Sequence, residues 1–385
     1  MNRALAVAAV LAASTAAAYD FKKDSTGSHV KWGKRLELVV DSALDSALGV
    51  KGARAALGQA VERLGAAAPG LSLGASEGTG GKVGFDFQGG SNRSDVVAVK
   101  DWSWDDAAVA ITVVTVDTRT HTIIDADIAF NLRGARWAVV DGDEKHGRYD
   151  VQNAFTHELG HAVGLAHSQE LEAVMYGRTH PGETRKRSLF TDDTVALEVL
   201  YPRLPSPDEQ AAEEQEPGQG CSTTPGGASP LLLLFGAFAL ARIRASRAAA
   251  LGLVLVAPLS ARADESIARA DKVVQTAMVG KVVRATTLPP EEGVTVLKTE
   301  LEVQVSECSA TPCPATVKLY VPGGTWGPFE QRVGGLEMPR AGATVGISRG
   351  SGKDVWVRFE VILNAEARDA FFRANAARTR LAAAQ

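Results

Sequence analysis

The sequence predicts an α+β fold for the first half of the chain, followed by a hydrophobic segment and a small, mainly β C-terminal domain. Apolar and β-branched runs typical of strands occupy 36–40, 107–116 and 123–131, whereas apolar residues with helical spacing occupy 53–64 and 155–163. Strands and helices mixed in this way pack as layers around a shared core. A chain of 385 residues has room for two or three domains.

The overall composition is that of an ordinary globular protein. The net charge is −4, and the hydrophobic fraction of 45% lies in the usual range. The sequence contains no basic stripe with interleaved aromatic residues, so nothing indicates nucleic-acid binding. Three cysteines are too few for a disulfide scaffold.

The most informative stretch reads His157-Glu158-x-x-His161, followed by Gly164 and His167. On a helix, at about 100° per residue, His157 and His161 lie roughly 40° apart on one face. The opposite face is apolar and is predicted to be buried: Phe155, Leu159, Ala162 and Val163. One side of this helix is therefore suited to the core and the other to a ligand.

Two imidazoles at i and i+4 can bind one metal ion, and zinc is the simplest choice for this spacing. Gly164 tolerates the left-handed conformation that ends a helix, and the turn brings His167 back as a third ligand. Three protein ligands leave a fourth position for water, as in catalytic zinc sites. Glu158 is then placed to take the proton of the zinc-bound water and pass it to the leaving amine. The alternatives are ordinary surface or core histidines, and a metal-bound but inactive site.

Two further features accompany this stretch: Ser168 directly after the third histidine, and Ala173-Val174-Met175-Tyr176 downstream. The histidine stretch resembles the metzincin zinc-peptidase signature at every fixed position, and Ser168 resembles the matrixin (matrix-metalloproteinase-like) branch. Met175 resembles the residue of the Met-turn, a hydrophobic floor beneath the metal, although Gly177 stands where the family usually has proline. The resemblance implies a twisted, mostly parallel sheet with an antiparallel edge strand and three helices.

The resemblance also implies a zinc metalloendopeptidase that hydrolyses extracellular proteins, with Glu158 as the catalytic residue. The zinc ligands would be His157, His161 and His167. A protein or peptide substrate would bind extended along a sheet edge, and we favour 109–116 as that edge strand. The alternative function is a catalytically inactive zinc-binding surface or adhesion protein. A hydrolase of small amides is a third reading, against which the implied open cleft argues.

One catalytic zinc is expected, and no second structural zinc, because His121 stands alone in the region where vertebrate matrixins bind one. Two acidic groups are candidates for calcium: Asp125 with Asp127, and Asp141 with Asp143 and Glu144. We favour a solvated strand face and a polar loop over calcium sites. Animal matrixins are restrained by a pro-domain cysteine, and 18–32 has neither the length nor the cysteine for one. The enzyme would be active once folded, or its control would come from elsewhere.

Residues 1–18 read as a signal peptide, because Arg3 precedes a short apolar run and Ala16-Ala17-Ala18 offers a cleavage site. Residues 19–203 would form the peptidase domain, exported and either secreted or anchored at a bacterial cell surface. Within it, Asp150 is the predicted N-cap of the histidine helix. Thr191 is the predicted cap of the last helix, whose core face would comprise Val195, Ala196, Val199 and Leu200.

Residues 204–228 read as a disordered linker that is rich in proline and acidic residues. In 229–263 two apolar runs flank the arginines of Arg242–Arg247, and the region is predicted to contact the membrane. With Cys221, the first run resembles a myxobacterial C-terminal sorting tail, whereas the second resembles another signal peptide. The chain would then be two exported proteins joined in frame, or a genuine two-helix membrane hairpin.

Residues 264–385 read as a separate small β-barrel or sandwich. Four segments are strand-like, namely 273–285, 295–305, 315–321 and 355–363, and 366–384 is an alanine-rich helix. Cys308 and Cys313 are close together in an exported context, so a disulfide is predicted. Zinc binding by these cysteines is the weaker alternative, because no second ligand pair exists. Binding or scaffolding is the default role of this part.

Overall fold

A computed structural model describes residues 18–89, 92–104, 108–141, 147–203, 274–309, 311–350 and 356–383. These residues all belong to one compact unit of the chain. The predicted signal peptide except its last residue, the linker 204–228 and the hydrophobic region 229–263 lie outside the described residues. Within the described ranges, no helix is both long enough and apolar enough to cross a membrane.

A mixed sheet forms the centre of residues 18–203. Its five strands in this part are β1 (Arg35–Asp41), β2 (Ser72–Gly78), β3 (Ser94–Val99), β4 (Ala110–Asp117) and β5 (Thr122–Asn131). The spatial order is β2-β1-β3-β5-β4, in which neighbours pair in parallel except β5 and β4, which are antiparallel. The implied sheet, mostly parallel with one antiparallel strand on the outside of this part, is therefore observed.

Helices cover this sheet: α1 (Leu44–Leu48), α2 (Ala53–Ala67), α3 (Val151–Ala162) and α4 (Thr191–Leu200). A 3₁₀ turn occupies Arg185–Arg187, and a two-residue parallel pair joins β6 (Trp137–Ala138) to β7 (Tyr149–Asp150). The short α1 was not expected. The apolar spacing of 53–64 predicted α2 correctly, and its apolar face is buried: Ala53, Ala56, Leu57, Ala60, Val61 and Leu64.

The start and the core face of α4 differ from the prediction. Phe190, not Thr191, is the N-cap residue, and its backbone N–H donates to the Asp193 carboxylate at 2.9 Å. Val195 and Val199 are 40% and 56% exposed, whereas Leu197 is fully buried. Ala196 and Leu200 are buried as predicted, but the helix is rotated so that its core face is completed by other residues than Val195 and Val199, namely Asp193 and Leu197.

Asp125 and Asp127 are buried on β5, with 1% and 0% exposure, so the predicted solvated strand face is wrong. The strand is an inner one, paired with β3 and β4. The Asp127 carboxylate accepts backbone hydrogen bonds from Gly84 and Asp95, both at 2.7 Å. One oxygen of Asp125 is buried without a hydrogen-bond partner.

The described residues from 274 onward form an open, antiparallel five-stranded sheet with the order β10-β9-β8-β13-β14. The strands are β8 (Val274–Thr287), β9 (Lys298–Cys308), β10 (Thr316–Pro322), β13 (Thr344–Gly350) and β14 (Trp356–Val361). Helix α5 (Ala365–Ala383) packs on it through Phe371, which is buried against Ala277 and Val279. The structure contains the predicted Cys308–Cys313 disulfide, with a Cα–Cα distance of 5.8 Å. The pairs that the described residues form give an open sheet rather than the predicted barrel or sandwich.

A hairpin of β11 (Gly324–Trp326) and β12 (Phe329–Val333), which the sequence did not predict, leaves that sheet and extends the first one. Strand β12 pairs antiparallel with β4, so that Phe329 lies opposite Asp117 and Val333 opposite Val113. The first sheet therefore has seven strands, with the order β11-β12-β4-β5-β3-β1-β2. The outer side of β4, which sequence analysis favoured as the free edge, is paired.

Candidate metal centre

Helix α3 carries the first two histidines, and its orientation is fixed at its start and along its apolar face. The Asp150 carboxylate accepts a hydrogen bond from the backbone N–H of Asn153 at 2.8 Å, which confirms it as the N-cap. It also forms an ion pair with Arg187. The predicted apolar face is completely buried: Phe155, Leu159, Ala162 and Val163. Each large side chain among them contributes roughly 1.5–3 kcal/mol by leaving water.

The three predicted ligands lie together. One ring nitrogen from each of His157, His161 and His167 lies within 4.8 Å of the other two, and the Nε2 atoms of His161 and His167 are 3.2 Å apart. The Nδ1 atom of His157 faces the Val174 carbonyl at 2.7 Å, and that of His161 faces the Leu165 carbonyl at 2.9 Å. Because a carbonyl only accepts, each Nδ1 must carry the proton, and each Nε2 is left as an electron-pair donor.

This arrangement fits a bound cation. The unprotonated Nε2 atom of His161 lies 3.2 Å from the Nε2 atom of His167, so both nitrogens can reach one ion between them. Protonation is disfavoured, since burial lowers the pKa of His157 and His161 well below the usual range, helped by the charges of Lys186 and Lys22. Burial likewise lowers the pKa of His167 to about 4. Three neutral imidazoles converging in this way match the nitrogen donor set of zinc.

Gly164 makes the third ligand reachable. The helix ends at Ala162, and Gly164 has a φ of +105°, in the region that favours glycine. A Cβ atom there would lie 2.5 Å from the Val30 carbonyl oxygen, so a side chain is excluded by contact as well. The chain then reverses and returns His167 to the other two histidines, as the sequence predicted.

Met175 lies beneath the histidine helix, as expected of the Met-turn. It is 2% exposed, and a Cβ atom added at Gly160 would come within 2.2 Å of its sulfur. The Asp193 carboxylate accepts backbone hydrogen bonds from Val174 at 2.8 Å and from Met175 at 3.1 Å. Asp193 therefore ties α4 to the Met-turn.

Glu158 is 7% exposed, and its Oε2 accepts a hydrogen bond from the Thr112 hydroxyl at 2.6 Å. Burial raises the pKa of this carboxyl to about 7, against the Thr112 bond and the positive charges of Lys22 and Lys186. A carboxyl with a pKa near neutrality can both accept and return a proton. Thr112, on β4, was not identified from the sequence, because only the fold brings it to Glu158.

Lys186 is a buried charge close to the cluster. It is 1% exposed, its ammonium donates to the Tyr176 carbonyl, and burial lowers its pKa to about 8. The same cause lowers the pKa of Lys22 to about 8. Both amines lie near enough to the histidines and Glu158 to act on their pKa values.

The other acidic and histidine candidates do not join this cluster. His121 Nδ1 lies 2.6 Å from an Asp24 carboxylate oxygen. Within the described ranges, the only group of three or more metal-ligating side chains is His157, His161 and His167. Of the predicted calcium candidates, Asp143 and Glu144 lie outside the described residues.

Known proteins are similar to a part of this chain. Residues 77–202 match the matrixin family model. Metalloendoproteinase 1-MMP of Arabidopsis thaliana is 34% identical over 87 residues, covering 22% of this chain and 24% of that protein. Metalloendoproteinase 4-MMP of the same plant is 37% identical over 88 residues, and human matrilysin is 42% identical over 48.

Each match covers a minor part of both proteins. The matches span 22% of this chain and 25% of Metalloendoproteinase 4-MMP, and 12% of this chain and 18% of matrilysin. The chain thus spans about a quarter of the length of the plant relatives that it matches. Family model and relatives together support an α+β metzincin of the matrixin type, and with it a metalloprotease with a catalytic zinc, in this part of the chain.

Proposed function

We propose that the protein is a zinc-dependent endopeptidase that hydrolyses peptide bonds of exported or extracellular proteins. The observation that carries the proposal is the convergence of three neutral imidazole donors on one point, on a helix that also bears a buried carboxyl of raised pKa. His157, His161 and His167 would hold one Zn²⁺. A zinc ion bound there would act as a Lewis acid on the scissile carbonyl and lower the pKa of a water molecule.

The chain's own residues would then move the proton and position the substrate. Glu158 would take a proton from the attacking water and return it to the leaving amine, because its pKa of about 7 suits both transfers. The Thr112 hydroxyl would hold the carboxylate in place. Strand β4 would supply the backbone donors and acceptors along which an extended peptide binds as an added strand. Met175 would support the histidine helix from below without touching the substrate.

The alternative is a catalytically inactive, zinc-binding surface or adhesion protein. One observation favours it, namely that β12 already pairs with the outer side of β4. The two functions differ in whether a zinc-loaded protein cleaves peptides, so they can be separated directly.

The test compares the full zinc-loaded chain with Glu158→Ala on a diverse library of quenched fluorescent peptides. We expect Glu158→Ala to retain its zinc and to lose cleavage, because the histidines are intact and only the proton acceptor is gone. Glu172→Ala is the matched control, since Glu172 is exposed and lies outside the cluster. Undiminished cleavage by Glu158→Ala would refute the assigned role. Zinc binding without cleavage of any library peptide by any variant of the chain would favour the adhesion protein.

A further inference from the structure

We propose that residues 274–383 act as an intramolecular inhibitor of the peptidase site, with β12 in the place of the substrate and the turn after it against the histidines. The proposal rests on the proposed peptidase function. It assigns a function to a part of the chain for which the sequence indicated only binding or scaffolding.

The first observation is that β12 occupies the strand on which a substrate would bind. Five consecutive pairs join Phe329–Val333 to β4 in antiparallel register. The ladder continues with Gly334, whose backbone N–H donates to the Thr112 carbonyl at 2.6 Å. Thr112 is the residue whose hydroxyl bonds Glu158. A peptide that adds to β4 must therefore displace β12 first, because each edge of a strand accommodates a single neighbouring strand and β5 already occupies the other edge.

The second observation is that the chain after β12 lies against the metal-binding imidazoles. A Cβ atom at Gly334 would lie 2.9 Å from Cδ2 of His161, and one at Gly335 would lie 3.4 Å from Cε1 of His167. Two glycines thus bring bare backbone to the place where the scissile bond of a substrate would have to lie. Any larger residue at the first position would press on His161.

The third observation is that the backbone after β12 is not extended, as that of a bound substrate would be. The backbone N–H of Leu336 donates to the Val333 carbonyl at 3.2 Å, which closes a turn, and Gly335 has a φ of +74°. The chain therefore leaves β4 at the histidines instead of continuing extended beside it. An extended backbone is what strand addition requires, so the turn blocks the site without presenting a cleavable bond.

Buried contacts hold the inhibitory strand in place. Gln331 is 1% exposed, and its amide donates to Thr115 Oγ1 on β4 at 3.2 Å and to the Thr295 carbonyl at 2.8 Å. Val333 is 5% exposed and belongs to an apolar cluster otherwise built from residues 83–129 and Leu336. Glu330 accepts a hydrogen bond from the backbone N–H of Ser25 at 2.7 Å.

Residues 83–87 of the peptidase domain make further contacts with Thr295 and Phe329. The Thr295 hydroxyl donates to the Val83 carbonyl at 2.6 Å, and the Phe85 N–H donates to the Thr295 carbonyl at 2.9 Å. The Phe329 ring lies 5.3 Å from that of Phe85 and 6.2 Å from that of Phe87. The pairing of β12 with β4 and these contacts with residues 83–87 must both break before a substrate can bind.

The test uses the full, zinc-loaded chain and introduces a charge at Val333, a buried residue of β12. In Val333→Asp, an unpaired carboxylate would be buried between apolar side chains, so the docked state should be disfavoured. We expect kcat/KM for a short peptide to rise at least about tenfold, the change that about 1.4 kcal/mol of lost docking free energy produces. The control is Val283→Asp, the same substitution at a position on β8 that is 47% exposed, which should leave the rate unchanged.

A disulfide between β4 and β12 tests the opposite change, because it prevents β12 from leaving β4. Thr115 and Gln331 face each other in register, at a spacing that a disulfide can bridge. In a Cys221→Ser background, Thr115→Cys with Gln331→Cys should form a cross-link detectable by mass spectrometry. Peptide cleavage should fall on oxidation and return on reduction, whereas each single-cysteine variant should respond to neither treatment.

The outcomes separate the two proposals. Equal rates for wild type and Val333→Asp, with no effect of the disulfide, would overturn the inhibitor while leaving the peptidase. Cleavage of the wild-type chain between residues 333 and 336, seen by intact mass, would also overturn it, because the segment would then be a substrate. If zinc-loaded, folded Val333→Asp cleaves nothing, the peptidase proposal fails and the inhibitor with it. Activity of Val333→Asp that survives Glu158→Ala would refute only the catalytic assignment.

Discussion

Replacing Gly160 by alanine has two opposite effects on stability, which are of comparable size. The contacts around Gly160 decide which effect is larger. Within a helix, Gly→Ala alone should stabilise by about 0.8–1 kcal/mol. Here, however, the new Cβ would lie 2.2 Å from the sulfur of Met175 and 3.3 Å from its terminal methyl carbon. Met175 is 2% exposed in the core beneath the helix, so it has little room to move. Overpacking of this kind costs about 1–3 kcal/mol. We therefore expect Gly160→Ala to destabilise α3 by about 1 kcal/mol and to weaken zinc binding.

A double-mutant cycle gives this prediction its sharpest form. Met175→Ala alone should cost about 2–5 kcal/mol, because it leaves a cavity. In that background the clash is absent, so Gly160→Ala should now stabilise α3 by about 0.8 kcal/mol. The sign of the same substitution thus reverses, with a coupling energy of about 2 kcal/mol. Hydrogen exchange of the α3 amides in the zinc-loaded protein measures the local free energy of opening. Stabilisation by Gly160→Ala in the presence of Met175 would refute the close contact.

Two further predictions concern pH and metal. Burial raises the pKa of Asp125 to about 7 and also raises that of Asp127. The folded state therefore holds more protons than the unfolded state above about pH 4, and this contribution to stability is lost as pH rises towards 7 and beyond. Asp125→Asn should thus be more stable relative to wild type at pH 8 than at pH 5 in urea denaturation; an equal difference at both would contradict the raised pKa. Chelation should lower the melting temperature, since a ligand at a thousand times its Kd contributes about 4 kcal/mol. His167→Ala should abolish this shift and His29→Ala should keep it; a shift that survives in His167→Ala would remove that histidine from the site.

The local parts of the site were predictable because they depend on neighbours in sequence. The two faces of α3 follow from the helical period, and Gly164 follows from the need to end the helix and reverse the chain. Asp150 as N-cap needs only the residues after it. Each of these is observed, and each rests on contacts within a few residues along the chain.

The features that were missed depend on distant parts of the chain. Asp125 and Asp127 alternate with apolar residues as on a half-exposed strand, but they lie on an inner strand of the sheet, and Gly84, distant in sequence, contacts Asp127. Thr112 meets Glu158 only because β4 lies beside α3. Strand β12 has five residues, with glycines near both ends, so its sequence gives only a weak strand pattern. Its pairing with β4 is set by the fold and not by local propensity.

The pairing of β12 with β4 also has a consequence for how the protein is made. The contact between Thr118 and Pro328 beside this pairing joins residues 210 positions apart. At about 5–20 residues per second, translation delivers the covering strand roughly 10–40 s after the strand that it covers. During that interval β4 presents unsatisfied backbone groups, which can recruit strands of other nascent chains. Once β12 has been synthesised, it would pair with these backbone groups of β4 and so protect the new chain against aggregation, before any peptide reaches the cleft.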